Sequence, residues 1–206
     1  MQRTFLMAGA AVIIAAASGL WVATRYTGSN ERFAKCQTSQ IAGGTSQIGG
    51  PFELLNDKGE VVTDKDVLTG PSLLYFGYTF CPDVCPLDNI RNAEAVDLLE
   101  EKGKMVTPIF ISIDPARDTP EVVGDYASNM HERMIGLTGS LAQIKAVSQT
   151  YKTYYNVPVS DDEYYTVDHT TFSYLVLPEY GFVQFFRRDT SAQDVADQIA
   201  CFMDNQ

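Results

Sequence analysis

The chain has 206 residues, 45% of them hydrophobic and 20% charged, which is room for one globular domain of ordinary size plus an appendage and too little for two comfortable cores. Its 26 acidic residues outnumber 15 basic ones, for a net charge of −11, and a surface of that sign repels nucleic acid and anionic lipid heads. A basic or metal-bearing partner fits the charge better.

The first predicted element is the stretch 5–24, which has no charge, is rich in Ala, Ile, Leu and Val, and is flanked by Arg3 and Arg25. A helix of that length crosses a bilayer core of roughly 30 Å, so residues 1–25 are expected to form a membrane anchor. Ala15-Ala16-Ala17 offers a signal-peptide cleavage site instead, but the apolar run continues past it. Arg25, Arg32 and Lys35 outnumber Arg3 and the α-amine, so flanking charge does not orient the span. Beyond Arg25, 13 basic residues face 26 acidic ones, a balance of −13, part of which is simply solubilising. Residues 26–50 are polar, with Gly43-Gly44 and Gly49-Gly50 and no helical or strand period, and read as a tether. Residues 51–206 are then the domain.

Within it, 52–55 and 60–63 flank Asn56-Asp57-Lys58-Gly59 and predict a β-hairpin. The apolar strand 73–78 leads into Cys81-Pro82-Asp83-Val84-Cys85-Pro86, and Pro86 is expected to open a helix through 87–101. A second apolar strand, 107–113, precedes a helix opened by Thr119-Pro120-Glu121. A helix over 140–151, a strand over 172–177, the turn Pro178-Glu179-Tyr180-Gly181, a strand over 182–187 and a helix over 191–203 complete the chain. Alternating strands and helices require parallel neighbours in the sheet. A β-α-β unit followed by a helix, a hairpin and a terminal helix is the order of a thioredoxin-like α/β fold, here with the first hairpin as an N-terminal extension.

Two cysteines at a strand-to-helix junction make a soft-metal or redox site the leading idea. At a helix N-terminus both thiols would lie beside the positive end of the macrodipole, which favours the reactive, metal-binding thiolate. An inert disulfide or two core thiols is the ordinary alternative; the turn position and flanking prolines argue against it.

The runs YFGYTFCPDVCP at 75–86, ISIDPARDTPE at 111–121, GLTG at 136–139 and VDHTT at 167–171 together resemble the Sco/SenC family of copper-delivery proteins, in the expected order over about residues 50–202. The resemblance implies a single-pass, membrane-anchored domain facing the periplasm from the inner membrane, or the mitochondrial intermembrane space. It would carry one copper ion, Cu(I) or Cu(II), to the dinuclear copper centre of cytochrome c oxidase subunit II. Another copper chaperone or a thioredoxin-like reductase would be a further partner. The resemblance also implies Cys81, Cys85 and His169 as ligands, and soft Cu(I) does prefer thiolate and imidazole. His169 precedes the strand 172–177, and Thr170 stands about where thioredoxin-like folds carry a cis-proline beside the cysteine turn. Asp168 is expected to orient the ring or act on the partner. Tyr78, with Tyr75 and Phe80, is expected to pack the core and wall the site.

The remaining candidates read more plainly. His131, in a polar run, looks like a solvated helix end, Asp114, Arg117 and Asp118 like a loop salt bridge or partner contact, and Met105 and Met203 like core. Cys36 and Cys201 complete an even count; leaving Cys81 with Cys85 pairs them as a structural disulfide, with two free buried thiols as the alternative. Three ligands leave a position open for an acceptor's ligand. The same dithiol would serve a thiol–disulfide oxidoreductase that keeps acceptor cysteines reduced, so carrier and enzyme both stay in play and His169 discriminates between them. Thiol peroxidase chemistry fits less well, because Tyr78 and Leu74 stand where it needs Thr and Pro.

Overall fold

The computed structural model describes residues 32–37, 45–159, 162 and 164–206. The anchor expected over 5–24 lies outside the described residues, and among those described no helix is long and apolar enough to cross a membrane.

The elements are β1 (Glu53–Leu55), β2 (Val61–Thr63), α1 (Asp64–Val67), β3 (Ser72–Gly77), α2 (Val84–Glu100), β4 (Thr107–Ser112), α3 (Pro120–Met130), β5 (Ile135–Leu137), α4 (Leu141–Thr150), β6 (Tyr155–Asn156), β7 (Asp168–His169), β8 (Ser173–Leu177), β9 (Gly181–Phe186) and α5 (Ala192–Asp204). The main sheet runs β5-β4-β3-β8-β9, with β3, β4 and β5 parallel and β8 and β9 antiparallel to their neighbours. This is the predicted thioredoxin-like arrangement, and the expected hairpin β1–β2 precedes it.

β3 is buried at all six positions because it is central and covered on both faces, which is why its sequence is a continuous apolar run. On one face Leu74 and Phe76 meet Tyr151 and Tyr174, the Phe76 ring 5.5 Å and 5.6 Å from theirs. On the other, Leu73 packs with Ala95, Val96 and Leu99 of α2 and Val195, Ile199 and Phe202 of α5. A bulge where Leu175 pairs Gln184 but Val176 pairs Phe182 lets Val183 and Phe186 both reach that second face. Cys36 and Cys201 form a disulfide within this second cluster, 165 residues apart in sequence. Arg32–Gln37 and Thr45–Gly50, inside the span expected as tether, lie against the domain: Phe33 is buried beside Phe202, and the Gly49 N–H donates to the Thr150 carbonyl.

The short elements α1, β5, β6 and β7 have no counterpart in the sequence reading. β5 adds a third parallel strand, and its Gly136 is the point of closest approach to α3, where an added Cβ would stand 2.3 Å from the Val123 carbonyl oxygen. Two buried-residue expectations are corrected. Met105 is 53% exposed because the neighbouring Val106 takes the inward position ahead of β4, and Phe80 is 51% exposed on the surface rather than in the core. Met203 is half-buried against the second cluster.

Candidate metal centre

The end of β3 and the start of α2 set the thiols. α2 begins at Val84 with Asp83 as its N-cap, two residues earlier than expected from Pro86. Proline still fits, because the first four N–H groups of a helix have no intrahelical partner. The Cys85 N–H is instead taken by Cys81 Sγ at 3.2 Å. Gly77 leaves room for the second thiol: a Cβ there would lie 3.0 Å from Cys85 Sγ and 2.8 Å from the Tyr75 ring.

His169 arrives on β7, which pairs with β6 through Tyr155↔His169. Its Nε2 is 3.4 Å from Cys85 Sγ and its Nδ1 is 2.9 Å from the Thr170 carbonyl. A carbonyl only accepts, so Nδ1 keeps its proton and Nε2 is the nitrogen that faces the thiols with an exchangeable proton or a lone pair. Thr170 also donates its N–H to the Tyr154 carbonyl and accepts from the Tyr154 N–H through its hydroxyl, and the proline that other thioredoxin-like folds carry there could do neither. The two sulfurs and one imidazole nitrogen lie within 4.8 Å of one another. Among the described residues this is the one group of three potential metal ligands.

One negative charge resides on the thiol pair, and it sits on Cys81. The Cys85 thiol donating to Cys81, helped by His169 and the backbone N–H groups of Cys85 and Asp83, holds Cys81 down to about 3 although burial pushes the other way. The same bond, together with burial, pushes Cys85 far up. Cys81 is 9% exposed and lines the cavity above the site, whereas Cys85 is wholly buried, so Cys81 is the more accessible of the two. Tyr78 packs edge-on against His169 at 5.9 Å, and burial, with the nearby Cys81 charge, pushes its hydroxyl up to about 12. Tyr75 stands edge-on at 6.2 Å and donates its buried hydroxyl to Asp88 at 2.9 Å.

The other sequence candidates separate. Asp168 does not hydrogen-bond the imidazole, whose nitrogens meet Cys85 Sγ and the Thr170 carbonyl; it is exposed on the wall of the cavity above the site, a space of about 280 Å³ lined by residues 78, 81–84, 166–169 and 171. A larger cleft of about 630 Å³ between the hairpin and α4 brings together no thiol or imidazole. His131 caps α3 and is covered rather than solvated: Nδ1 accepts from the Arg133 N–H and Nε2 meets Asp97 at 3.1 Å, near the end of α2 opposite to Cys85. Asp114 and Arg117 do form a salt bridge, at 2.6 Å, and Asp114 and Asp118 are both buried, each 1% exposed. Asp118 accepts from Ser112 and from both the N–H and the hydroxyl of Thr79, fixing the turn ahead of Cys81. Asp88, Thr79 and Tyr165 were missed by sequence reasoning; nothing local marks Asp88 as buried or gives Thr79 and Tyr165 their distant partners Asp118 and Asp114. Gly77 did carry a signal, as the one residue without a side chain in an apolar strand.

Comparisons with known proteins bear on the whole arrangement. The SCO1/SenC family profile matches residues 41–204. Protein SenC of Rhodobacter capsulatus is 45% identical over 203 residues, 98% of this chain and 91% of that one. The human mitochondrial SCO1 homolog is 39% identical over 163 residues, 78% of this chain but only 54% of that longer protein. Among solved structures, Arabidopsis thaliana ScoI with copper bound matches with a TM-score of 0.70 at 41% identity, over 76% of this chain and 99% of that one. Yeast Sco1 with copper bound matches with a TM-score of 0.73 at 35% identity, over 78% and 90%. With its fold, its cysteine turn and its sequence in agreement, the chain belongs to the SCO1/SenC family.

Proposed function

We propose that Cys81, Cys85 and His169 hold one copper ion as cargo and that the chain delivers it during assembly of cytochrome c oxidase. The observation that carries this is the set of two thiols and one imidazole within 4.8 Å, with the imidazole tautomer already set by Thr170. A trigonal ion with metal–sulfur bonds of roughly 2.3 Å spaces its ligands about 4 Å apart, so loading needs little movement, and the soft donor set ranks copper above zinc. The copper-bound relatives from plant and yeast support the same choice. The cavity side stays open for an incoming thiolate, and transfer proceeds by exchange of ligands one at a time. The acceptor on this reading is the dinuclear copper centre of subunit II, and the domain works from the membrane, held by residues 5–24 as a single-pass anchor, in the periplasm or the intermembrane space.

A thiol–disulfide oxidoreductase is the second reading, favoured by the reachable Cys81 thiolate with Cys85 behind it. Cys81 would attack an acceptor disulfide, releasing one acceptor thiolate; Cys85, losing its proton, would then displace the other. Two electrons pass to the acceptor and a Cys81–Cys85 disulfide is left. His169→Ala separates the readings. The carrier account expects that variant to lose oxidase activity under copper limitation while its dithiol still cycles, with partial rescue by added copper. Normal oxidase activity in His169→Ala at low copper, with Cys81→Ser severely impaired, sinks the carrier account in favour of the reductase.

A further inference from the structure

Arg117, between β4 and α3, lies outside the ligand set but joins three of the segments around the site. Its guanidinium carbon lies 3.6 Å from the centre of the Tyr165 ring, 4.9 Å from that of Phe80 and 5.6 Å from that of Tyr78. In its own plane, Nε donates to Asp114 at 2.6 Å and Nη1 donates to the Tyr165 carbonyl at 3.0 Å. The other Asp114 oxygen accepts from the Tyr165 hydroxyl at 2.8 Å. One cation thus bridges the turn that carries the cysteines, the loop it belongs to, and the segment that leads to His169.

That last segment has little else regular to hold it. β7 is two residues long and pairs with the equally short β6, and strands of that size have little stability of their own. Tyr165 is four residues before His169, so whatever fixes Tyr165 limits where the imidazole can go. On the opposite side, Tyr78 touches both the cation and the imidazole.

We propose that Arg117 is a positioning residue for His169, a clasp that holds the imidazole over the thiols before metal arrives. Lying against an aromatic ring while donating two hydrogen bonds from its own plane needs a flat, forked cation, and lysine has neither the plane nor the fork. Losing an outer partner of a metal-ligating histidine characteristically weakens metal binding by about 10- to 100-fold.

The test uses the full chain in detergent, reduced and metal-free, and its copper arm rests on the function proposed above. Nuclear Overhauser contacts between the His169 and Tyr78 rings are expected in the parent, retained in Arg187→Ala, and lost in both Arg117→Ala and Arg117→Lys. Titration with Cu(I) against a chelator is expected to show affinity down by about 10- to 100-fold in Arg117→Ala, and no further loss when Arg117→Ala is added to His169→Ala, because the residue acts through that ring. Retained ring contacts in Arg117→Ala, or losses that add in the double variant, overturn the proposal. A parent that takes up no copper would defeat the proposed function and leave the ring contacts to decide this one. If Arg117→Ala does not fold, Tyr165→Phe removes only the bond to Asp114 and is expected to weaken the same contacts; unchanged contacts there would count against the clasp.

Discussion

Cys36 and Cys201 lie where β3 begins, in the apolar cluster that holds Leu73, Leu177, Phe33 and Phe202. Cys81 and Cys85 lie where β3 ends, ringed by His169, two tyrosine hydroxyls and the first N–H groups of α2. At the first end the polar neighbour is the Asn205 amide, 3.8–4.0 Å from either sulfur, and the thiols are bonded to each other. At the second end donors hold one sulfur as thiolate and its partner as thiol. The lesson is that burial alone does not decide the fate of a cysteine pair; what decides it is whether the surroundings stabilise a charge.

The contrast is broken most forcefully by exchanging which pair is removed. Cys81→Ser or Cys85→Ser is expected to abolish copper retention in equilibrium dialysis while leaving the thermal transition little changed. Cys36→Ser with Cys201→Ser is expected to do the reverse, keeping one copper per chain while lowering unfolding stability by about 2–5 kcal/mol, the usual effect of opening a long disulfide loop. Loss of copper in the second variant would mean that the two ends are coupled.

A smaller effect tests the packing behind the second thiol. Gly77→Ala puts a methyl against Tyr75, Cys85 Sγ and Phe110 at 2.8–3.1 Å, and overpacking of that kind costs about 1–3 kcal/mol. Urea unfolding should register it, together with weaker copper binding. Gly70→Ala meets no atom within 4 Å and should leave copper binding unchanged. Equal copper affinity in the two variants would show that Gly77 does not shape the site.

The electrostatic half of the contrast is read through pH. Cys81 is held down to about 3 and stays a thiolate as pH falls to 5, so its alkylation by iodoacetamide should slow only slightly between pH 8 and 5. Cys85 is pushed up and stays a thiol, so metal binding must expel its proton. Copper affinity should therefore rise with pH, by up to about tenfold or 1.4 kcal/mol per unit. A flat affinity between pH 5 and 8 would mean that Cys85 is already ionised without metal.

Features that close within a few residues were legible in the chain alone. Thr119, Ser140 and Ser191 cap α3, α4 and α5 by accepting an N–H from three residues on, and the Asn56–Gly59 turn closes the first hairpin in the same local way. The order of strands and helices, and the cysteine turn at the end of β3, follow from apolar periods and breakers that need no partner. The rest depended on contacts between distant parts of the chain. Asp88, Arg91 and Asn92 are polar yet buried in α2 because Tyr75 of β3, Ser173 of β8 and the Arg187 carbonyl just past β9 meet them. Cys85 meets His169 across 84 residues and Cys36 meets Cys201 across 165. Local sequence carries the geometry of a turn or a cap, but the pairing of side chains so far apart is settled only when the sheet brings its strands into register and both faces close.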